Sequence, residues 1–133
     1  MLGELIGEER GQITSTRVLA SETGPRVEAS FQAQGTILGT DITDMGTYIS
    51  SARPDGTMFG EGQGISMTTD GEMATWRGQG VGRFTRPGAV AWRGAIYYES
   101  ASKKLSKLNG IAVIYEYETD ESGKIESKTW EWK

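Results

Sequence analysis

Apolar and polar residues alternate with a period of two along most of the chain, which is the spacing of a strand with one buried face. Clusters of Gly, Pro, Asp, Asn and Ser interrupt this alternation at regular intervals. The eight segments between the clusters span residues 4–20, 26–38, 42–52, 57–68, 72–85, 89–101, 111–118 and 124–132. We therefore predict eight β-strands, with one helical turn between Ser100 and Leu108.

The breaks between segments are short, and this limits how the strands can be connected. A break such as Thr69-Asp-Gly71 permits only antiparallel neighbours, so consecutive strands should pair in a meander. An open sheet of eight strands would leave two unpaired edges, and closure removes both. The sequence thus predicts an all-β protein, a closed eight-stranded antiparallel up-and-down barrel, as a single domain over residues 1–133.

Glycine is abundant inside the predicted strands. The chain has 19 glycines, and two runs place them at alternate positions, from Gly60 to Gly64 and from Gly78 to Gly82. Both runs are flanked by strands, whereas a phosphate-binding loop leads into a helix N-terminus. Strand glycines mark sharp curvature or close approach of other groups, and aromatic side chains often cover such gaps. We interpret the runs as strongly coiled strands.

The strand face that carries the glycines also carries most of the large apolar side chains. We predict this face as the core, made of Val27, Ala29, Phe31, Ala33, Ile37, Trp76, Phe84, Val90, Trp92, Ile96, Tyr98, Ile111, Val113, Tyr115 and Tyr117. The alternate residues are polar or charged, so the opposite face should be the solvated outer wall.

The large aromatic residues are the candidate ligand-binding residues: Phe31, Trp76, Trp92, Tyr98 and Tyr115. A barrel of eight strands is either filled by its own side chains or has room for one small ligand. Core packing is the favoured interpretation. The alternative is that these rings line a pocket for a small apolar ligand.

Four charged residues near the middles of strands are the polar candidates: Glu61, Arg77, Arg93 and Glu116. Their alternating signs favour a cross-strand ladder on the outer wall. The alternative is a polar cavity, in which a carboxylate beside an arginine acts as a base or holds an anionic ligand.

Composition narrows the classes of function. The 14 basic and 18 acidic residues give a net charge of −4, which opposes binding to nucleic acids and to anionic membrane surfaces. The chain has no cysteine and no histidine, so any acid–base chemistry would use Asp, Glu, Lys or Tyr. We expect no cofactor and no metal site, because Asp41, Asp44, Asp120 and Glu121 are explained by turn chemistry. The acidic N-terminal segment lacks the features of a signal peptide, so we expect a cytoplasmic protein.

Three short elements together resemble the allene oxide cyclase barrel-like superfamily. Arg53-Pro-Asp-Gly-Thr57 leads into the strand Phe59-Gly-Glu-Gly-Gln-Gly64, Leu105-Ser-Lys-Leu-Asn-Gly110 precedes the seventh strand, and Gly123-Lys-Ile125 begins the last. The resemblance implies an eight-stranded barrel that associates through its walls. For the plant cyclases it implies isomerisation of an unstable fatty-acid epoxide in an apolar barrel, helped by a polar residue near the first strand.

This chain has Glu8, Glu9 and Arg10 in its first strand, but no catalytic motif matches them residue by residue. It is more similar to prokaryotic members of the superfamily without an assigned activity. No catalytic role is therefore carried over to these residues.

Three hypotheses of function remain open. The first is a barrel that binds a small apolar ligand. The second is a cofactor-independent isomerase or cyclase with Glu61 or Glu116 as base and Tyr98 or Tyr115 orienting the substrate. The third is a structural module that forms a homo-oligomer through an outer apolar patch of Phe59, Ile65, Met67 and Val81.

Overall fold

A computed structural model describes all residues from 1 to 133 and contains eight strands. The strands are β1 (Leu2–Leu19), β2 (Arg26–Ile37), β3 (Thr40–Ala52), β4 (Met58–Thr68), β5 (Met73–Arg86), β6 (Ala89–Glu99), β7 (Ala112–Thr119) and β8 (Lys124–Trp132). A short 3-10 helix, Ser106–Gly110, replaces the predicted helical turn between β6 and β7. It is the only helical element, and it is far too short to span a bilayer.

Antiparallel pairing joins each strand to the next, and β1 closes the sheet by pairing with β8. The closing register runs from Leu2 opposite Trp132 to Gln12 opposite Lys124. At the end of this seam the amino group of Met1 donates a hydrogen bond of 2.7 Å to the carbonyl oxygen of Lys133. The prediction of a closed eight-stranded antiparallel meander is confirmed.

Aromatic rings occupy the space above glycines of neighbouring strands. A Cβ atom on Gly60 would lie 2.6 Å from the Trp92 ring, and one on Gly46 would lie 2.7 Å from the Trp76 ring. Neither distance is compatible with an ordinary van der Waals contact. The strand glycines therefore make room for large interior side chains, as the sequence pattern predicts.

The loop between β6 and β7 supplies apolar side chains to the core. Leu105 and Leu108 are fully buried, and both belong to the core cluster. The backbone N–H of Leu108 bonds to the carbonyl of Leu105, which holds the loop as a compact turn. Because β6 ends where this loop begins, the two leucines pack into that end of the barrel.

The predicted core is confirmed for nearly all its members, which are buried or half-buried in the barrel. Phe84 is the exception, because its side chain is 58% exposed. It lies close to the β5–β6 hairpin, where the register shifts between Phe84 and Arg86. The strand extends past the end of the core there. Phe84 therefore lies on the inward-facing side of β5 but is not buried.

Candidate functional site

Two acidic side chains from different strands meet inside the barrel. Glu9 on β1 has Gly35 and Ser127 as its cross-strand neighbours, and Asp44 on β3 lies opposite Ala33 and Ser66. Gly35 belongs to β2, the strand between them, and a Cβ atom on it would lie 2.8 Å from the Cα atom of Glu9, so the backbones of β1 and β2 approach closely here. The prediction that Asp44 belongs to ordinary turn chemistry is wrong, because the residue is buried, with 4% of its surface exposed.

Hydrogen bonds surround the Asp44 carboxylate. Trp76 Nε1 donates to Oδ1 over 2.9 Å, and Ser66 Oγ donates to the same oxygen over 3.3 Å. The backbone N–H of Met45 and the side chain of Glu9 contribute further hydrogen bonds. A buried carboxylate with this many donors is stabilised in its charged form.

Burial and the neighbouring carboxylate change how Glu9 titrates. Burial raises the pKa of Glu9 to about 9, and the charge of Asp44 and the hydrogen bond to it act in the same direction. Burial also raises the pKa of Asp44, although its bonds from Trp76, Glu9 and Ser66 oppose this. The hydrogen bond between the two groups raises the pKa of Glu9 and lowers that of Asp44, so Glu9 is the member of the pair that keeps its proton more strongly.

One oxygen of the pair has no partner. Glu9 Oε1 is buried and no protein N–H or hydroxyl group donates to it. A buried polar atom without a partner costs about 1–3 kcal/mol, and native proteins contain few of them. Ser127 and Thr129 belong to β8, which pairs with the strand of Glu9, and their hydroxyl-bearing side chains line the same cavity as Glu9.

Aromatic rings form the wall next to this polar end. The Tyr117 ring lies edge-on to those of Phe31 and Tyr48, each with its centroid 5.6 Å away, and Tyr48 is edge-on to Trp92 at 5.9 Å. The Tyr117 hydroxyl donates to the Tyr48 hydroxyl over 3.3 Å. These contacts hold the aromatic cluster in a fixed arrangement.

Burial keeps the phenols of the interior neutral at physiological pH. It raises the pKa of Tyr115 to about 12, and that of Tyr98 well above its ordinary value. The charges of Asp44 and Glu9 raise the pKa of Tyr98 further, which places its ring in the field of the carboxyl pair. Tyr98 and Tyr115 therefore act as hydroxyl groups.

A cavity of about 70 Å³ remains between the carboxyl pair and the aromatic wall. It is roughly half the size of the ~150 Å³ cavity that accepts benzene, so in this conformation it admits only a small molecule or a small group. No lysine or arginine lines it, and no three acidic side chains converge to hold a metal ion. The barrel interior is thus largely filled, with one space that the carboxyl pair and aromatic residues both line.

The structure brings all the aromatic candidates together. Phe31, Trp76, Trp92, Tyr98 and Tyr115 come from four strands, and all of them line the cavity. Four of them belong to the same core cluster as Tyr117 and Tyr115 packs against it, so all five serve the fold and the cavity at once.

The polar candidates lie on the outer wall, and only part of the predicted ladder forms. Arg93 Nε lies 3.7 Å from Glu116 Oε2, whereas Glu61 accepts a hydrogen bond of 3.3 Å from Gln79. Arg77 lies opposite Gln63 and Tyr97 and makes no ion pair with the other three candidates. Glu61 is among the residues that line the cavity, but its side chain is exposed and bonds to Gln79. The Glu116 side chain is 47% exposed, so a base role in the interior is not supported by the position of either carboxylate.

The outer apolar residues form two groups rather than one patch. Phe59 lies opposite Val81, and Ile65 and Met67 lie further along β4, opposite Thr75 and Met73. Glu61 and Gln63 separate the two groups on the same face of β4. The face is thus a mixture of apolar and polar rows.

Sequence analysis assigned no role to Glu9 and missed the interior position of Asp44, although a signal for both is present. Asp44 shares its strand parity with Ile42 and Tyr48, and Glu9 shares its parity with Gly7 and Gly11. In each strand the acidic residue stands in the row that faces the core. An acidic residue in a core row signals a buried functional or structural pair.

The chain has structural relatives but no sequence match. No protein-family model matches it, and no curated protein matches it. Its fold is similar to that of a protein of unknown function from Clostridium acetobutylicum, with 13% identity, a TM-score of 0.84, and coverage of 98% of this chain and 99% of the other.

Two further structures share the fold. A conserved protein of unknown function from Rhodopseudomonas palustris has 12% identity and a TM-score of 0.80, with 99% of each chain covered. A β-barrel-like protein from Acinetobacter baumannii has 13% identity and a TM-score of 0.83, covering 100% of this chain and 96% of that one. At these identities the similarity establishes the architecture of an uncharacterised small β-barrel protein.

Proposed function

We propose that this protein binds a small, predominantly apolar molecule inside the barrel. The observation that carries the proposal is the cavity of about 70 Å³, whose lining combines the aromatic residues of the interior with the carboxyl pair of Glu9 and Asp44. An empty space of this size costs a core roughly 1.7 kcal/mol at ~24 cal/mol per Å³. An occupant would recover part of that free energy.

The lining and the volume of the cavity also indicate that the ligand is small and that most of it is uncharged. Ten of the 18 residues that line the cavity are hydrophobic, and polar side chains are the minority. Ligand sites typically combine such apolar walls with a few polar groups that fix orientation. The cavity is well below the ~300 Å³ at which drug-sized ligands are held, so larger molecules would require side chains to move.

A cavity-filling substitution tests this proposal. Ile96 on β6 lines the cavity, so we expect Ile96→Phe to place its extra ring atoms there and to reduce ligand binding at least about tenfold, with little loss of stability. Binding is measured by native mass spectrometry of the protein purified from its host, with the recovered ligand then titrated into each variant. The matched control is Ile114→Phe, which makes the same change on the outer face of β7.

Either of two outcomes would count against the proposal. One is a host-purified protein that carries no small molecule. The other is a ligand that binds equally well to wild type and to Ile96→Phe, because its site would then lie outside this cavity.

A second candidate function is a cofactor-independent isomerase or cyclase. The specific observation that favours it is the hydrogen-bonded carboxyl pair of Glu9 and Asp44 in one aromatic-lined cavity, since two paired carboxyl groups are able to act as acid and base. The resemblance to the allene oxide cyclase barrel-like superfamily supports the same idea. An isomerase returns a rearranged product, whereas a binding protein releases its ligand unchanged, and NMR spectra of the ligand before and after incubation distinguish the two.

A further inference from the structure

We propose that the outer wall of β7 and β8 forms a two-fold symmetric dimer with a second copy of this chain. The inference is independent of the interior cavity, because it concerns the other face of the sheet. It also differs from the surface that the sequence predicts, which lies on β4 and β5. Two features support it, a continuous apolar surface and a row of charges that is complementary to itself.

Two neighbouring rows of apolar side chains cross the outer wall from β6 to β1, and in each row every residue pairs with the next across the strands. The first row consists of Ala95, Ile114, Trp130 and Leu5. The second row consists of Tyr97, Ala112, Trp132 and Leu2. Val113 and Thr129, which alternate with these residues, are buried in the interior, so the two rows face outward. We call these eight residues the β6–β1 patch.

The β6–β1 patch exposes a large apolar area. Its most exposed members have between 46% and 59% of their surface accessible: Leu5, Trp132, Leu2 and Tyr97. With ~200 Å² taken as the full area of a large side chain, these four alone expose about 400 Å². The largest apolar patch on a monomer is typically ~300–600 Å² and often functional. A standard interface covers ~800 Å² per partner, and the half-buried Trp130 and Ile114 and the bordering charges would contribute the remainder.

A row of charged side chains borders the patch. In order from β1 to β6, the paired residues are Glu8, Lys128, Glu116 and Arg93. Their charges alternate as minus, plus, minus, plus, so the same row in reverse order has the opposite charge at every position. Glu8 and Lys128 are exposed and make no ion pair within the chain. The row is therefore complementary to a second, reversed copy of itself.

A two-fold axis that runs along the strands between β7 and β8 uses both features. It places each row of one protomer against the same row of the other in reverse order, as an isologous contact requires. Lys128 then faces Glu116 of the partner subunit, and Trp132 faces Ala112 of the partner subunit, a large side chain against a small one. Because a barrel wall is convex, β7 and β8 make the closest contact, and the apolar side chains of β6 and β1 fill the space where the walls diverge.

The oligomeric state of the wild-type protein is the first test. We expect sedimentation velocity to show an equilibrium between monomer and dimer, with the dimer predominant at a chain concentration of about 100 μM. A protein that stays monomeric at this concentration overturns the proposal. A monomer that binds phosphatidylcholine vesicles would assign the β6–β1 patch to a lipid surface instead.

Two charge reversals test the face and the axis. Lys128→Glu sets acidic side chains opposite each other across the axis, and Glu116→Lys sets basic ones opposite each other. Each variant alone should weaken dimerisation at least about tenfold. Mixed in equal amounts, the two variants should form a heterodimer, because every position of the row again faces an opposite charge. Native mass spectrometry detects the heterodimer when one variant is labelled with ¹⁵N.

Asp41→Lys is the matched control for Glu116→Lys. It makes the same charge reversal at an exposed position of β3, on the far side of the barrel from β7, and should leave dimerisation unchanged. A dimer that neither reversal at Lys128 or Glu116 weakens, or a mixture that gives no heterodimer, would contradict the proposed face and axis.

The wild-type protein also gives an answer without any variant, should a reversal prevent folding. The indole N–H signals of Trp130 and Trp132 in a ¹⁵N-labelled sample should shift as the protein concentration rises through the dimerisation range. The indole of Trp76, which bonds to Asp44 in the interior, is the reference and should not shift. Constant signals from Trp130 and Trp132 alongside a dimer in sedimentation would place the contact elsewhere and overturn the proposal.

Discussion

Glu9 is the residue at which the needs of folding and of ligand binding diverge most. Its carboxyl group is buried beside another carboxyl group, and one of its oxygens has no partner. An apolar residue of similar size would avoid both costs. The position thus has the features of a site that is kept for binding or chemistry at the expense of stability.

The protonation of Glu9 makes stability depend on pH. Its pKa is about 9 in the folded protein against 4.5 for an unperturbed group, so the folded state retains a proton that the unfolded state loses between these values. The free energy of unfolding must therefore fall as pH rises through this window, by ~1.4 kcal/mol per pH unit for one proton.

We expect Glu9→Gln to remove most of this dependence. Between about pH 5 and 8, the wild-type free energy of unfolding should fall by up to roughly 4 kcal/mol more than that of the variant. Urea unfolding at several pH values provides the measurement, with Glu61→Gln on the outer wall as the control, which should follow the wild type. Parallel slopes for wild type and Glu9→Gln would show that Glu9 is not protonated in the folded state.

Among the elements, β4 is shaped by the rings that pack on it. Gly64 lies beneath the Trp76 indole, and a Cβ atom there would also lie 2.6 Å from the carbonyl oxygen of Met45. The carbonyl belongs to the paired strand β3 and has little freedom to move. The glycine is thus required by close approach rather than by a turn.

Gly64→Ala should destabilise the barrel by about 1–3 kcal/mol, since the methyl group overpacks the interior. Gly110→Ala is the matched control, because a Cβ atom on Gly110 meets nothing within 4 Å, and its effect should be small. Thermal unfolding of the two variants gives the comparison. Equal stability would mean that Trp76 moves aside at no cost.

The strands were predictable from the sequence because alternation and turn residues are local signals. The β5–β6 hairpin shows their limit, since the parity of Phe84 predicts burial at a position where the strand has left the core. The carboxyl pair could not be predicted as a pair for a different reason. Glu9 on β1 and Asp44 on β3 meet across β2, which depends on the register of three strands.

At the scale of the whole molecule, closure brings the two ends of the chain together. Leu2 lies opposite Trp132, and the Met1 amino group bonds to Lys133. The seam between β1 and β8 is therefore formed by the residues most distant in sequence. Because loop closure must precede this pairing, we expect the barrel to fold slowly compared with helical proteins of its length.

A circular permutant tests whether the seam is equivalent to the other strand pairs. Joining residues 133 and 1 with a short Gly/Ser linker and opening the exposed β1–β2 loop between Glu22 and Thr23 should retain cooperative unfolding and the wild-type circular dichroism spectrum. Opening the chain inside β4, between Gly62 and Gln63, is the control and should prevent folding. Loss of structure in the first permutant would show that the chain order of β1 and β8 matters.

The contacts between aromatic rings and glycines also have a consequence for sequence evolution. Trp92 fills the space above both Gly60 and Gly82, so three residues that are distant in the sequence pack as one group. A larger residue at either glycine is tolerated only if Trp92 is replaced by a smaller residue. A smaller residue in place of Trp92 leaves a cavity unless one of the glycines is replaced by a larger residue. We therefore expect these three positions to change together during evolution, because a substitution at any one of them alone would be destabilising.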